Sequence, residues 1–349
     1  MNRHEFQLAA RSFRAGRLSL SEFTEKVFSH KADDLPQNLT SSDESDKSDL
    51  PDGPTGSAST SPITIPHRPA DAHKGLCGHV LVVGGSHEMP GAAALTGLAA
   101  LRGGAGLVTV ASSTSARAVV AAASPCLMTV DLGELNASAD ATTARDRLQP
   151  ALSRATVIGL GPGLGLSDTT QQLTVWLYET SPLPIVVDAD SINHLASSRT
   201  NLSAHAGPRI LTPHVGELRR LTGSAQSPSK DLNSRDNQIQ FARQLASSCN
   251  IVLVLKGART FVTDGQREYF NTTGCSGLAT AGTGDVLTGL IAALIGQGLS
   301  PFEAATTGCA LHGLAGELAQ QQYGTWSMIA TDVIQNLGPA FQQLARTTE

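Results

Sequence analysis

The stretch Asn271-Thr-Thr-Gly-Cys-Ser-Gly-Leu-Ala-Thr-Ala-Gly-Thr-Gly-Asp-Val-Leu-Thr-Gly-Leu290 sets glycines, hydroxyls and one carboxylate ahead of an apolar helical run, Val286 to Ile295. Gly277, Gly282 and Gly284 let backbone N–H groups approach an anion, and a helix N-terminus adds partial positive charge. Asp285 falls in the first turn of that helix. A carboxylate beside an anion site is unfavourable unless it has work to do, and the work that fits is proton transfer to or from a hydroxyl near a phosphate. The alternative is a glycine turn with an acidic N-terminal cap. No Lys-Ser or Lys-Thr follows the glycines, so this is not a Walker loop.

Five further segments carry polar or glycine residues where predicted strands end, which is where open parallel sheets bind ligands. Val83-Gly-Gly-Ser-His-Glu-Met-Pro-Gly-Ala-Ala-Ala94 opens a helix around Gly91, with Ala92 and Ala93 allowing close approach. Ile158-Gly-Leu-Gly-Pro-Gly-Leu-Gly165 has glycines at every second position, never GxGxxG, and reads as a wall against a planar or sugar group. Val186-Val-Asp188-Ala-Asp190 offers a carboxylate that either orients a ligand or caps the helix Ser191–Leu195, with capping the plainer role. In Leu211-Thr-Pro-His214-Val-Gly-Glu217, His214 can hydrogen-bond a ligand. Glu217 either holds a hydrated Mg²⁺ through water or stabilises a helix N-terminus. Lys256-Gly-Ala-Arg-Thr260 ends a buried strand just upstream of the anion turn, a position suited to nucleotide phosphates.

The elements that must position these groups alternate along the chain. Short β-branched runs (His79–Val83, Leu107–Ala111, Thr156–Leu160, Ile185–Asp188, Arg209–Thr212, Ile251–Lys256) are separated by helical patterns such as Ala92–Leu101, Thr169–Tyr178 and Gln238–Ser247. Val80–Val83 and Ile251–Leu255 are apolar throughout, as strands covered on both faces are. The pattern predicts an α/β sandwich around a parallel sheet. Thr260–Thr263 and Glu268–Phe270 predict an edge hairpin, and helices at 285–295, 302–321 and 330–345 close the chain. Residues 1–30 read as a helical hairpin, with a capping box at Ser19 and Glu22. It is expected to be a docking or dimerisation element, a transit peptide being disfavoured by Glu5, Glu22 and Glu25. Residues 31–66 form an acidic Ser/Pro-rich linker that cannot bury enough surface to order itself.

With 349 residues, 40% hydrophobic, 16% charged and 34 glycines, the chain has the profile of a loop-rich enzyme. A net charge of -5 gives no basic surface for nucleic acid. The five cysteines form no CxxC pair and point to reduced thiols. No apolar run is long enough to span a membrane and no signal-peptide core is present, so a cytoplasmic protein is expected.

Taken in order, Gly84-Gly-Ser with Met89-Pro-Gly-Ala-Ala93, Gly161-Pro-Gly-Leu-Gly165, Thr212-Pro-His-Val-Gly-Glu217, Lys256-Gly-Ala-Arg-Thr260 and Ala281-Gly-Thr-Gly-Asp285 resemble the ADP/ATP-dependent NAD(P)H-hydrate dehydratase family, within the ribokinase-like superfamily. The resemblance covers residues 67–349. It implies a ribokinase-like three-layer sandwich with a central, mostly parallel sheet, preceded by the short helical segment and disordered linker. It implies repair of the S epimer of NADH or NADPH hydrate. ADP, favoured over ATP, would phosphorylate the C6 hydroxyl with Mg²⁺ present, and phosphate elimination would restore the nicotinamide. By this resemblance Asp285 is the catalytic base and also touches substrate. Gly282, Thr283 and Gly284 form the anion hole. Lys256, Gly257, Ala258, Arg259, Thr260 and Gly284 bind nucleotide, and Ala93, Gly163 and His214 bind the hydrate. Related kinases often carry Asn in a Thr-Pro-Asn-x-x-Glu motif, where His214 stands here. The epimerase domain fused to many family members is expected to be a separate partner, because residues 1–66 are too few for it, and a homo-oligomer is expected. The competing readings are a vitamin-precursor kinase for hydroxyethylthiazole or a pyrimidine, a nucleotide sensor without a base, and a dehydrogenase. Asp285 argues against the second, and the lack of GxGxxG against the third.

Overall fold

The computed structural model describes residues 63–224 and 232–348. The hairpin expected over 1–30 and the linker up to residue 62 lie outside them. Thr64, at the end of the expected linker, exchanges backbone hydrogen bonds with the Thr307 hydroxyl on a C-terminal helix.

A nine-stranded sheet in the order β3-β2-β1-β4-β5-β6-β7-β8-β9 forms the centre. Its strands are β1 (His79–Val83), β2 (Leu107–Ser112), β3 (Met128–Asp131), β4 (Val157–Leu160), β5 (Ile185–Val187), β6 (Arg209–Leu211), β7 (Val252–Leu255), β8 (Phe261–Thr263) and β9 (Glu268–Phe270). β1 to β7 run parallel, while β8 and β9 form the antiparallel edge hairpin expected at Asp264-Gly265. The helices are α1 (Pro90–Arg102), α2 (Thr114–Ala123), α3 (Ala141–Leu152), α4 (Asp168–Thr180), α5 (Asp190–Ser197), α6 (Val215–Ser224), α7 (Arg235–Cys249), α8 (Thr283–Gly296), α9 (Pro301–Tyr323) and α10 (Ala330–Thr348).

Alternate residues of each strand feed two cores. Val80, Val82, Val186 and Val254 face α1, α8, α9 and α10. Leu81, Val83, Val187 and Leu253 face α3 to α7. This is why the inner strands are apolar without alternation: both faces are covered. α8, Thr-Gly-Asp-Val-Leu-Thr-Gly-Leu-Ile-Ala-Ala-Leu-Ile-Gly, is apolar almost all round because it lies between the sheet and α1, α9 and α10. Gly289 lets it approach α1, since a Cβ there would sit 2.1 Å from the Thr96 carbonyl oxygen.

The chain places β2 and β3 on one side of β1 and β4 onward on the other. The crevice at this reversal of direction lies at the carboxyl ends of β1 and β4. Three elements between 114 and 152 were not anticipated from sequence: α2, β3 and α3. β3 is a four-residue edge strand, Met-Thr-Val-Asp, only half-covered, so it lacks the apolar signature of the inner strands. α3 is polar on average and contains Pro150, which weakens its helical pattern.

Candidate active site

The loops that follow β1 and β4 are zipped together at the crevice. Gly85 N–H donates to the Pro162 carbonyl at 2.9 Å and Ser86 N–H to the Gly163 carbonyl at 2.6 Å. Gly163 has φ +60, and a Cβ there would lie 2.4 Å from the Met89 carbonyl oxygen, so only glycine fits. Asp190 and His194, both on α5, hold the far end of this ridge. Asp190 Oδ2 accepts from Gly165 N–H at 2.8 Å, and His194 Nε2 bonds the Gly165 carbonyl at 2.8 Å. Ala93 is fully buried at the start of α1, beneath Gly85.

β5, β6 and β7 are neighbours, so the residues just past them converge. Asp188, the His214–Glu217 turn and Lys256 meet there. Lys256 Nζ donates to Asp188 Oδ1 at 2.7 Å and lies 3.9 Å from Glu217 Oε2. Thr288 Oγ1, on α8, donates to Asp188 Oδ2 at 2.8 Å. Burial draws the Lys256 pKa down, but Asp188, Glu217 and Asp285 outweigh it, and the ammonium is held above its ordinary range. The capping role expected of Asp188 or Asp190 is not realised: the N-cap of α5 is Ala189, with no side-chain cap bond. Both carboxylates are instead spent on partners distant in sequence.

His214 does cap a helix. Its Nδ1 accepts from Gly216 N–H at 2.9 Å and Glu217 N–H at 3.3 Å, and Glu217 Oε2 accepts from His214 N–H at 2.8 Å. This is a capping box with histidine in the place of Ser or Asn. Because Nδ1 accepts, the neutral ring carries its proton on Nε2, which lies 3.4 Å from Glu217 Oε1. Burial and the nearby Lys256 and Arg220 cations lower the His214 pKa. Glu217 is pushed up to about 7 by burial, with Asp188 adding to the effect and Lys256 opposing it.

The anion turn adjoins this cluster. Gly282, with φ +91, is the N-cap of α8. Thr283 Oγ1 donates back to the Leu278 and Thr280 carbonyls at 2.8 and 2.9 Å, and His312 Nε2–H donates to the Thr283 carbonyl at 2.9 Å. Burial lowers the His312 pKa to about 4, so it supports the turn as a neutral group. The first-turn N–H groups of α8 have no carbonyl inside the helix to bond. A Cβ on Gly284 would be 3.4 Å from Lys256 Nζ and 3.8 Å from Asp188 Oδ2. Asp285 is half-buried and its pKa is raised to about 7, first by burial and then by Asp188, against the pull of Lys256. A carboxyl poised there can take a proton near neutral pH.

A cavity of about 530 Å³ opens beside the turn, within the size range of small-molecule sites. Lys256, Gly257, Ala258, Thr260, Thr283 and Gly284 line it. Its far wall is the 271–279 loop on α9, packed so tightly that a Cβ on Gly313 would lie 2.2 Å from Thr273 Oγ1. Arg259 alone of its segment points elsewhere. It is exposed, stacks 5.9 Å over Phe270, and its carbonyl accepts from Arg235 Nη2 at 2.6 Å. Thus Asp285, Lys256, Glu217 and His214 are gathered at one place, Lys256, Gly257, Ala258 and Thr260 line the cavity beside it, and Gly163 is part of the adjoining ridge with Ala93 beneath it. Asp188, Thr288 and His312 are the members that motif reading did not assign. The Asp188–Lys256 link follows from the strand order β5-β6-β7, which sets the two strand ends one strand apart, and not from any local motif.

Comparison with known proteins gives a consistent pattern. The model of the NAD(P)H-hydrate dehydratase family matches residues 80–338. The chain is 42% identical over 287 residues to the bifunctional NAD(P)H-hydrate repair enzyme Nnr of Moorella thermoacetica, covering 82% of this chain and 53% of that one. It is 33% identical over 261 residues to the ADP-dependent (S)-NAD(P)H-hydrate dehydratase of Cenarchaeum symbiosum, covering 74% and 87%. The chain spans about half the length of the bifunctional relatives. Among solved structures, the Bacillus subtilis ADP/ATP-dependent NAD(P)H-hydrate dehydratase co-crystallised with ATP/Mg²⁺ superposes with TM-score 0.68 at 28% identity, covering 80% of this chain and 95% of that one. The Pyrococcus horikoshii hydroxyethylthiazole kinase, at 18% identity, covers 77% of this chain and 91% of that one, and its TM-score of 0.54 shows a shared ribokinase-like fold alone.

Proposed function

The chain belongs to the NAD(P)H-hydrate dehydratase family, and from that premise we propose that it converts the S epimer of NADH or NADPH hydrate back to the reduced dinucleotide, using ADP. The observation that carries this reading is Asp285, a carboxyl with a pKa near 7 in the first turn of a helix whose N-terminus adjoins a cavity of about 530 Å³.

Asp285 takes the proton of the C6 hydroxyl as that oxygen attacks the terminal phosphorus of ADP, and AMP leaves. The amides of the Gly282–Gly284 turn stabilise the charge on the phosphoryl group in flight, and Lys256 supplies a fixed cation next to it. The phosphate ester then leaves C6 as inorganic phosphate while the adjacent ring carbon gives up a proton, which restores the double bond. Lys256, Gly257, Ala258, Thr260 and Gly284 hold the nucleotide, while Arg259, expected to join them, turns away to Phe270. The Gly161–Gly165 ridge and the half-exposed His214 ring hold the hydrate.

Among the described residues no group of three His, Cys, Asp or Glu side chains could hold a metal ion, and Glu217 Oε2 already accepts the His214 N–H. Glu217 is the residue that would face the water shell of a magnesium ion brought in with the nucleotide. When bound, the ion would neutralise phosphate charge. An epimerase acting on the same pool would convert the R epimer into the S epimer that this site takes. Among those residues no helix is long and apolar enough to cross a membrane.

The test is purified protein with prepared NADH hydrate, Mg²⁺ and ADP or ATP. Reduced-nicotinamide absorbance should return only when hydrate and nucleotide are both present. Failure to recover it with either nucleotide would overturn the reading.

A further inference from the structure

Asp188 is the first residue after β5 and is 1% exposed. Its backbone is fixed from two sides. Asp188 N–H donates to the Leu160 carbonyl at 2.9 Å, and its own carbonyl lies where a Cβ on Gly161 would be 2.0 Å away. A buried carboxylate is costly unless paired, and this one has two partners from separate elements, Lys256 beyond β7 and Thr288 on α8. Thr288 stands three residues after Asp285 and four after Gly284, so all three share one face of α8. The carboxylate does not cap α5. What its bonds accomplish is a registration: they fix the face of α8 that carries Gly284 and Asp285 against the Lys256 ammonium.

We propose that Asp188 is the positioning residue of the phosphoryl-transfer centre, clamping Lys256 and α8 so that the ammonium lies over the anion turn beside Asp285. This rests on the dehydratase reading of the site. The clamp also tunes the base. The charged groups acting on Asp285 are Asp188 from β5, Lys256 from β7 and Asp190 from α5, while His312 from α9 is held neutral against the Thr283 carbonyl. Glu217 lies beyond Lys256. Of the two nearby carboxylates, Asp188 contributes more to the basicity of Asp285.

Asp188→Asn keeps the shape and can still accept from Thr288, but removes the charge. It should move the acidic limb of the kcat profile down by about one pH unit and raise KM for ADP about tenfold or more, while KM for the hydrate changes little. A purely structural role would lower activity equally at every pH. An unmoved acidic limb together with an unchanged KM for ADP overturns the proposal. Should Asp188→Asn fail to fold, Thr288→Val decides. Loosening the clamp should weaken ADP several-fold, and unchanged ADP affinity overturns the proposal. Calorimetric titration of ADP without hydrate separates the two levels of inference. If the wild-type protein binds ADP but restores no NADH, the dehydratase reading fails, and the loss of ADP affinity in Asp188→Asn still tests the clamp.

Discussion

Replacing Asp285 by Asn should stabilise the protein while removing its activity, and the stabilisation should depend on pH. The carboxyl pKa is raised from 3.8 to about 7, chiefly by burial. Between those values the folded protein keeps a proton that the unfolded chain has released, so stability falls as pH rises through that window. Three pH units at about 1.4 kcal/mol each put the penalty at about 4 kcal/mol above pH 7. Asn carries no such penalty, though it also deprives Lys256 of a neighbouring carboxylate. A net gain of roughly 2 kcal/mol at pH 8, or a Tm increase of about 4 °C, is expected. At pH 5 the gain should be less than about half as large. Thermal unfolding of both proteins at the two pH values measures this directly. In parallel, turnover should fall by roughly 10²–10⁴-fold with nucleotide binding retained. A Tm gain of equal size at both pH values, or a loss at pH 8, would refute the idea that Asp285 is a strained, ready base.

Three other outcomes follow from the geometry. The wild-type kcat/KM should fall about tenfold per pH unit below about 7 as Asp285 takes up its proton, and a flat profile from pH 5 to 7 would contradict it. Lys256→Ala should raise KM for ADP by about 10–150-fold and spare the hydrate, whereas His214→Asn, which preserves the α6 cap but removes Nε2–H, should do the reverse; steady-state kinetics with each ligand varied in turn would expose a wrong division of the cleft if both variants raise the same KM. Gly163→Ala, at φ +60 with the Met89 carbonyl 2.4 Å from the new Cβ, should cost on the order of 1–3 kcal/mol of stability and weaken hydrate binding, and denaturant unfolding that shows no loss would mean the ridge is less rigid than its hydrogen bonds imply.

The strands and site loops were legible where local chemistry is strong. β1 and β7 declare themselves by unbroken apolar runs, and the anion turn by glycines, Thr283 and Asp285 preceding a helix. Legibility failed where meaning is long-range. Asp188 beside Asp190 looks like a helix cap, and nothing local links it to Lys256, 68 residues away. His214 was read as a ligand contact, yet its spacing to Glu217 also encodes a capping box that only the hydrogen bonds reveal. The 114–152 region stayed blank because its edge strand is short and half-covered and its helices are Ala-rich or polar.

The central claim is that phosphoryl transfer at Asp285 leads to elimination instead of a stable phosphoester. Phosphorus NMR of a reaction containing protein, NADH hydrate, ADP and Mg²⁺, read together with NADH absorbance, tests it most directly. Equal amounts of NADH, AMP and inorganic phosphate are predicted. Accumulation of AMP with a persistent phosphorylated product, and no NADH, would contradict it and assign the chain a kinase activity.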